Sequence, residues 1–373
     1  MYHQNRSRLE YQCSALARRE RRHRDIWIAV ATPRPFDRGR QVSDFDPMPE
    51  LPDLVHVERV LKGTIVGQRV AEARIGDPTV LRVMIPETLP DSLRGRSLTA
   101  VERRGHFLRF AFENELVLVV NAMLAGKYKL LPDGQGKREK DPVALGFALA
   151  FEGGAELRFI DDKRMGKVYL CRAADEATIP VYGALGVDLL SPAFDRARFM
   201  TLAKGRRDQV RMFLMDKRTL ASIGNAYADE ILFAAGIHPT TFMRQLSDDD
   251  RERLFTAINQ VLAHAIAEIE RRNEPIEVKV RDFLSVRGRD GKPCPRCGTK
   301  IRAVRVGDGD SCFCPSCQPT TRKLFVDFAR LPAEKGVTAA VLTPSSPPAA
   351  SDKGPPRRRS PRSGSRRPGP SGS

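Results

Sequence analysis

SIGNAYADEILFAAGIHP, residues 222–239, runs from a glycine turn into a helix. Gly236 and Pro239 close that helix, because glycine tolerates the left-handed cap and proline cannot continue the ladder. Asn225 stands near the helix start. The first amides of a helix have no partner within it, so the turn offers a seat for a phosphate, and the Asn225 side chain can add one more donor. In the plainer alternative Asn225 only caps the helix.

The helical pattern extends outward from this stretch. It begins after Ser191, passes through RMFLMDKRTL (211–220) into the quoted residues, and resumes as an amphipathic stretch from Asp248 to about Arg271. Far upstream, MPELPDLVHVERVLKG (48–63) places Leu54, Val57, Val60 and Leu61 on one helical face with Asp53 as a cap, so a buried helix begins directly behind Pro49 and Glu50. Strand signals follow. The clearest is Phe107, Leu108, Phe110 and Phe112, then a turn at Glu113-Asn114-Glu115 and the apolar run Leu116 to Val120. The first half of the chain therefore reads as β-rich and the second as helical.

Four of the seven cysteines fall as Cys294-x2-Cys297 and Cys314-x2-Cys317 with 16 residues between. Each knuckle aims two thiolates inward, so the four can hold one tetrahedral zinc ion. With no open position the ion is structural and stabilises a module too small to fold alone. Cys312 lies close enough to compete as a ligand, though its spacing fits less well. Gly and Pro between Arg287 and Cys297 point to a hairpin ribbon there. Paired knuckles argue against a secreted disulfide framework and for a reducing compartment.

A chain of 373 residues, 41% of them apolar, can fill two cores and a small module. Its net charge of +17 is uneven: residues 1–48 carry +4 and residues 335–373 carry +7. The remaining excess is compatible with one basic face for phosphates. No apolar run approaches the roughly 18 residues that span a bilayer, and the start lacks a signal core, so a soluble, intracellular protein is expected. Pro, Ser, Gly and Arg dominate the tail, including Arg357-Arg358-Arg359, a composition that buries too little apolar surface to fold.

MPELPD, GNAYADEILFAAGIHP, and KPCPRCG with FCPSCQ together make residues 48 to about 331 resemble the formamidopyrimidine-DNA glycosylase and endonuclease VIII family of base-excision enzymes. The resemblance implies an α+β multidomain fold: an N-terminal β-sandwich with flanking helices, a helix-two-turns-helix domain and a C-terminal β-hairpin zinc finger. The expected boundaries are 48–180, 190–285 and 286–332, with 1–47 a disordered leader or a misassigned start and 333–373 a disordered basic tail. The implied activity is removal of oxidised bases from damaged double-stranded DNA with cleavage at abasic sites, by a bacterial, cytoplasmic, DNA-associated monomer.

In that chemistry the freed ring nitrogen of Pro49 attacks C1′ and Glu50 handles protons at the sugar. A terminal secondary amine with a pKa of about 8 is substantially neutral at pH 7 and can form an iminium, which acidifies the neighbouring sugar proton. The damaged nucleotide must leave the stack. By alignment Leu124, Lys163 and Met165 are the wedge residues that fill the gap, unless they are ordinary loop or core residues. Asn225 clamps a flanking phosphate, helped by Arg207 and Arg211. Departures are visible too. His106 in RRGHFLRF replaces the family's hairpin lysine, leaving either a phosphate and proton-transfer contact or a plain surface strand residue. Gly309, between Asp308 and Asp310, replaces an arginine of the zinc hairpin. These losses keep open a relative that binds damaged or abasic DNA without turnover. Only a short segment, about 272–287, joins the last long helix to the zinc module, which leaves little room for a lesion-capping loop.

Overall fold

The structure, a computed structural model, describes residues 48–136 and 139–320; the expected leader at 1–47 and the basic tail lie outside the described residues. Helix α1 (Leu51–Thr64) opens the described chain. Its cap is Glu50, not Asp53: Pro52 lies in the first turn, where its fixed φ suits a helix and its missing N–H costs nothing. Asp53 instead reaches back, its carboxylate accepting the Glu50 N–H at 2.8 Å.

Nine strands then form two sheets. One has the order β1 (Val70–Ile75), β7 (Leu145–Phe151), β8 (Glu156–Ile160), β6 (Lys127–Leu131). The other has the order β2 (Leu81–Val83), β9 (Lys167–Arg172), β5 (Leu116–Asn121), β4 (Phe107–Phe112), β3 (Leu98–Arg104), while the short helix α2 (Leu89–Leu93) links β2 to β3. All pairings are antiparallel except β2 with β9. The sheets share one apolar core, Phe110, Leu118 and Val120 facing Phe147, Leu149 and Phe159, with Leu54, Val57 and Leu61 of α1 packed into it. This is the expected β-sandwich. The uninterrupted apolar run in β5 has a structural cause: Val117 and Val119 pack on the opposite face, against Tyr169, Ile179 and Tyr182, so the strand is buried on both sides. The expected turn after β4 is present, with Asn114 and Glu115 at φ 61° and 57°.

The helical part comprises α3 (Arg196–Ala203), α4 (Val210–Met215), α5 (Asn225–Ala235) and α6 (Asp248–Arg272) around a second core that includes Leu51 of α1. The run from Arg211 is not one helix. It stops at Met215 because the Asp216 carboxylate takes the Arg218 N–H and the Thr219 hydroxyl, local bonds that compete with helix continuation. A short strand β11 (Leu220–Ala221) follows and pairs in parallel with β10 (Val187–Asp188). Gly236 ends α5 at φ 70°, and Ser247 with Asp250 forms a capping box for α6. In the last module the ribbon is β12 (Arg302–Val306) with β13 (Gly309–Phe313). The segment expected to form it, 287–297, is mostly turns, with an isolated bridge Pro293–Lys300 just before β12.

Candidate active site

Helix α1 takes part in both cores, so its first residues lie where the sandwich and the helical part meet. Pro49 is buried and lines a narrow pocket with Asp53, His56, Tyr128, Ile276 and Lys279. Glu50 is 3% exposed, and its carboxylate accepts N–H bonds from Gly224 at 2.9 Å, Ala226 at 2.8 Å and Tyr227 at 3.2 Å. The Gly224, Ala226 and Tyr227 amides are therefore not free for a phosphate. An internal carboxylate occupies the positive end of the helix, where a negative charge is stabilised. Gly224 is required for this approach, since a Cβ there would lie 2.4 Å from the Glu50 carboxyl carbon. Burial raises the Glu50 pKa, opposed by the charge of Arg281 and by the amides of Ala226 and Tyr227.

Asn225 is the first residue of α5, with Gly224 as the cap, so the capping alternative does not hold. Its side-chain oxygen accepts from Arg211 at 2.6 Å, which turns the amide NH2 group away from that arginine. Arg211 itself is a correction. Expected at the DNA backbone, it is 1% exposed and bonded to Asp229 at 3.3 Å and to the carbonyls of Val306 and Asp310. The cause is Asp229, a fully buried carboxylate on α5 that also takes Arg287, the Ser311 hydroxyl and the Cys312 N–H. This network ties the zinc hairpin to α5. Arg207 is exposed.

His106 is likewise corrected. It is 4% exposed at the β3–β4 turn, its Nδ1 has no hydrogen-bond partner, and burial together with the charge of Lys217 depresses its pKa to about 3. It is neutral at pH 7 and is neither a surface residue nor a cation for phosphate. Leu124, Lys163 and Met165 are exposed on two loops. Those loops share an anchor: a Cβ on Gly126 or on Gly166 would lie 2.7 Å from the Phe159 ring. Both chains thus pass over one aromatic ring. Buried Asp161 holds the second loop through the amides of Lys163 and Gly166.

The Cys294, Cys297, Cys314 and Cys317 sulfurs all lie within 4.8 Å of one another, with pairs at 3.9 Å and 3.4 Å. Zn–S bonds of about 2.3 Å in a tetrahedron put sulfurs about 3.8 Å apart, so the donor set fits a structural zinc with no open position. Cys312 is no competitor, since it does not join the four converging sulfurs and is instead buried with its N–H on Asp229. Two features were absent from the sequence-based expectations. Arg281 pairs with Asp53, donates to the Tyr227 hydroxyl at 3.3 Å and lies over its ring, locking the start of α1 to α5. Burial pushes the Lys217 pKa down, and the charge of Glu50 opposes that shift. Nothing in the local pattern around Arg281 or Lys217 marks either residue.

Residues 48–168 match the formamidopyrimidine-DNA glycosylase N-terminal domain, 185–273 the H2TH domain of the same glycosylases, and 291–320 the zinc finger found in FPG and IleRS. The formamidopyrimidine-DNA glycosylase of Moorella thermoacetica is 37% identical over 267 residues, covering 69% of this chain and 95% of the relative. That of Methylococcus capsulatus is 36% identical, covering 73% and 100%. Lactococcus lactis Fpg, solved with DNA containing an oxidised pyrimidine, superposes with a TM-score of 0.66 at 26% identity, covering 73% of this chain and 100% of that one. MutM from Thermus thermophilus gives 0.62 at 32% identity, covering 72% and 98%. Because the likeness runs through sandwich, helical part and zinc hairpin alike, and through nearly the full length of these relatives, this chain belongs to the formamidopyrimidine-DNA glycosylase family of base-excision repair enzymes.

Proposed function

We propose that this DNA glycosylase excises oxidised bases from duplex DNA through the ring nitrogen of Pro49 and then cleaves the strand at the resulting abasic site. The carrying observation is the grip on Glu50 of the Gly224 cap amide and two α5 amides, which fixes Pro49 and its neighbouring carboxyl at the junction of the two cores. Nitrogen attacks C1′ as the glycosidic bond breaks and the base leaves with a proton; the amine then loses its own proton and the C1′–O4′ bond opens, with Glu50 delivering a proton to O4′, which leaves the iminium. Loss of a C2′ proton then breaks the C3′–O bond. Glu50, with its raised pKa, handles protons at the sugar.

Leu124 and Met165 present apolar side chains to fill the gap left by the extruded nucleotide, with Lys163 beside them as the cation. Asn225 and Arg207 hold the flanking phosphates. Solved Lactococcus lactis relatives contain DNA with an oxidised pyrimidine, an abasic site or Fapy-dG, which supports these lesions as the substrate classes. The protein acts as a cytoplasmic monomer. Among the described residues no helix is long and apolar enough to cross a membrane.

An amide nitrogen cannot form the iminium, so the active chain begins at Pro49. Base release from duplexes carrying each lesion class tests this: the chain beginning at Pro49 turns over, and the chain retaining residues 1–48 does not. Equal turnover by both overturns Pro49 as the nucleophile.

A further inference from the structure

The turn between α4 and β11 holds a lysine whose backbone is fixed and whose side chain has no bonded partner among the described residues. The Lys217 carbonyl accepts from the Gly186 N–H at 2.9 Å. Next to it, Asp216 takes the Thr219 hydroxyl at 2.6 Å and Arg206 at 3.0 Å, which clamps the turn. The half-buried ammonium of Lys217, by contrast, makes no hydrogen bond or ion pair among the described residues. Its charge acts on two neighbours, Glu50 and His106. The hairpin tip rests on the strand that follows the lysine, since a Cβ on Gly105 would lie 3.5 Å from that of Ala221.

An ammonium taken partly out of water with no contacting counter-charge weakens the fold. Burial lowers the Lys217 pKa, and only Glu50 opposes that shift. Other groups in the same segment are unsatisfied as well. Ser222 is held at φ 99° with its buried hydroxyl unpartnered, and the buried His106 Nδ1 is unpartnered too. Strain and unpaired polar groups that cluster beside a reacting centre are features a ligand resolves. The ligand that completes an ammonium is an anion, and the short run from Lys217 through Ala221, which meets the β3–β4 turn, to Gly224, which holds Glu50, makes that anion part of the nucleotide under attack.

We propose that Lys217 binds the phosphodiester flanking the extruded nucleotide, supplying from the helical part the charge that the β3–β4 turn lacks with His106. This rests on the glycosylase reading above. The cation has moved from one wall of the site to the other, and a neutral, buried His106 is what leaves room for it.

The test uses the chain beginning at Pro49 and a duplex containing a tetrahydrofuran abasic analogue, with Kd measured across KCl concentrations. Lys217→Met lowers the slope of log K against log salt by about 0.9, the value for one phosphate, and weakens binding by about tenfold to a hundredfold. Lys217→Arg keeps the slope, and His106→Gln leaves it unchanged. The melting temperature of Lys217→Met is equal to or above that of the unaltered protein, because the lysine has no bonded partner to lose among the described residues. An unchanged slope in Lys217→Met, a slope lost in His106→Gln, or a clear fall in melting temperature on removing Lys217 overturns the assignment. Failure of the Pro49 chemistry reads separately, as absence of a borohydride-trapped adduct from a protein that still binds with the full salt slope.

Discussion

At Glu50 one carboxyl does two jobs that the sequence presents as separate. It accepts the amides at the start of α5 and it follows Pro49, the proposed nucleophile, so the helix start is filled from within. Gly224→Ala forces a methyl group against that carboxyl, 2.4 Å from its carbon. The expected cost is about 2–4 kcal/mol in urea unfolding, from overpacking and the displaced charge-assisted bonds, with base release lost alongside. His106 supplies a pH signature. Its folded pKa of about 3 is depressed from 6.5, so the unfolded chain binds the extra proton and the contribution, complete above pH 6.5, is lost as pH falls toward 3. The stability advantage of the native protein over His106→Gln should shrink by up to about 1.4 kcal/mol per pH unit across that window; a gap constant from pH 7.5 to pH 4.5 contradicts a buried neutral histidine. Pro49 and Glu50 as candidates, and the four zinc cysteines, were legible because each stands in a short motif. The burial of His106 and Arg211 was not, since it depends on Leu185 and Ala221 against the β3–β4 turn and on Asp229, all outside the motifs that carry the two residues.

Among the elements, two loops and a broken helix matter most. Leu124 and Met165 are 41% and 39% exposed on loops anchored over the Phe159 ring. Side chains so exposed contribute little to folding, so Leu124→Ala and Met165→Ala each change stability by less than about 0.5 kcal/mol. Their effect falls on extrusion: base release should drop roughly tenfold for each, equivalent to about 1.4 kcal/mol of lost wedge contact. A variant that unfolds readily while keeping full base release contradicts the wedge role. The sandwich strands and α6 were legible from their periodicity and caps. The break after Met215 was not, because RMFLMDKRTL keeps a helical pattern and only the side-chain bonds of Asp216 divert it. That break creates the turn carrying Lys217.

On the scale of the whole molecule, α1 joins the sandwich to the helical part, and the Asp229 network joins the helical part to the zinc hairpin. Removing zinc with a chelator should release the hairpin and, through Ser311, Cys312 and Arg287, loosen α5 while leaving the sandwich folded. Hydrogen exchange then rises in residues 291–320 and 225–235 and stays low in 107–121; a uniform rise contradicts this order of coupling. The sequence motifs revealed which parts exist, because each part has local rules. How they lock together was invisible, since Arg281 with Asp53 and Glu50 with Gly224 connect residues more than 170 positions apart. The central claim is that the Pro49 nitrogen is the reacting amine. Borohydride reduction of the chain beginning at Pro49 on abasic duplex DNA, followed by mass spectrometry of the cross-linked peptide, tests it most directly. The account predicts one reduced sugar adduct on the Pro49 nitrogen; an adduct on a lysine side chain, or none from a protein that binds the duplex, contradicts it.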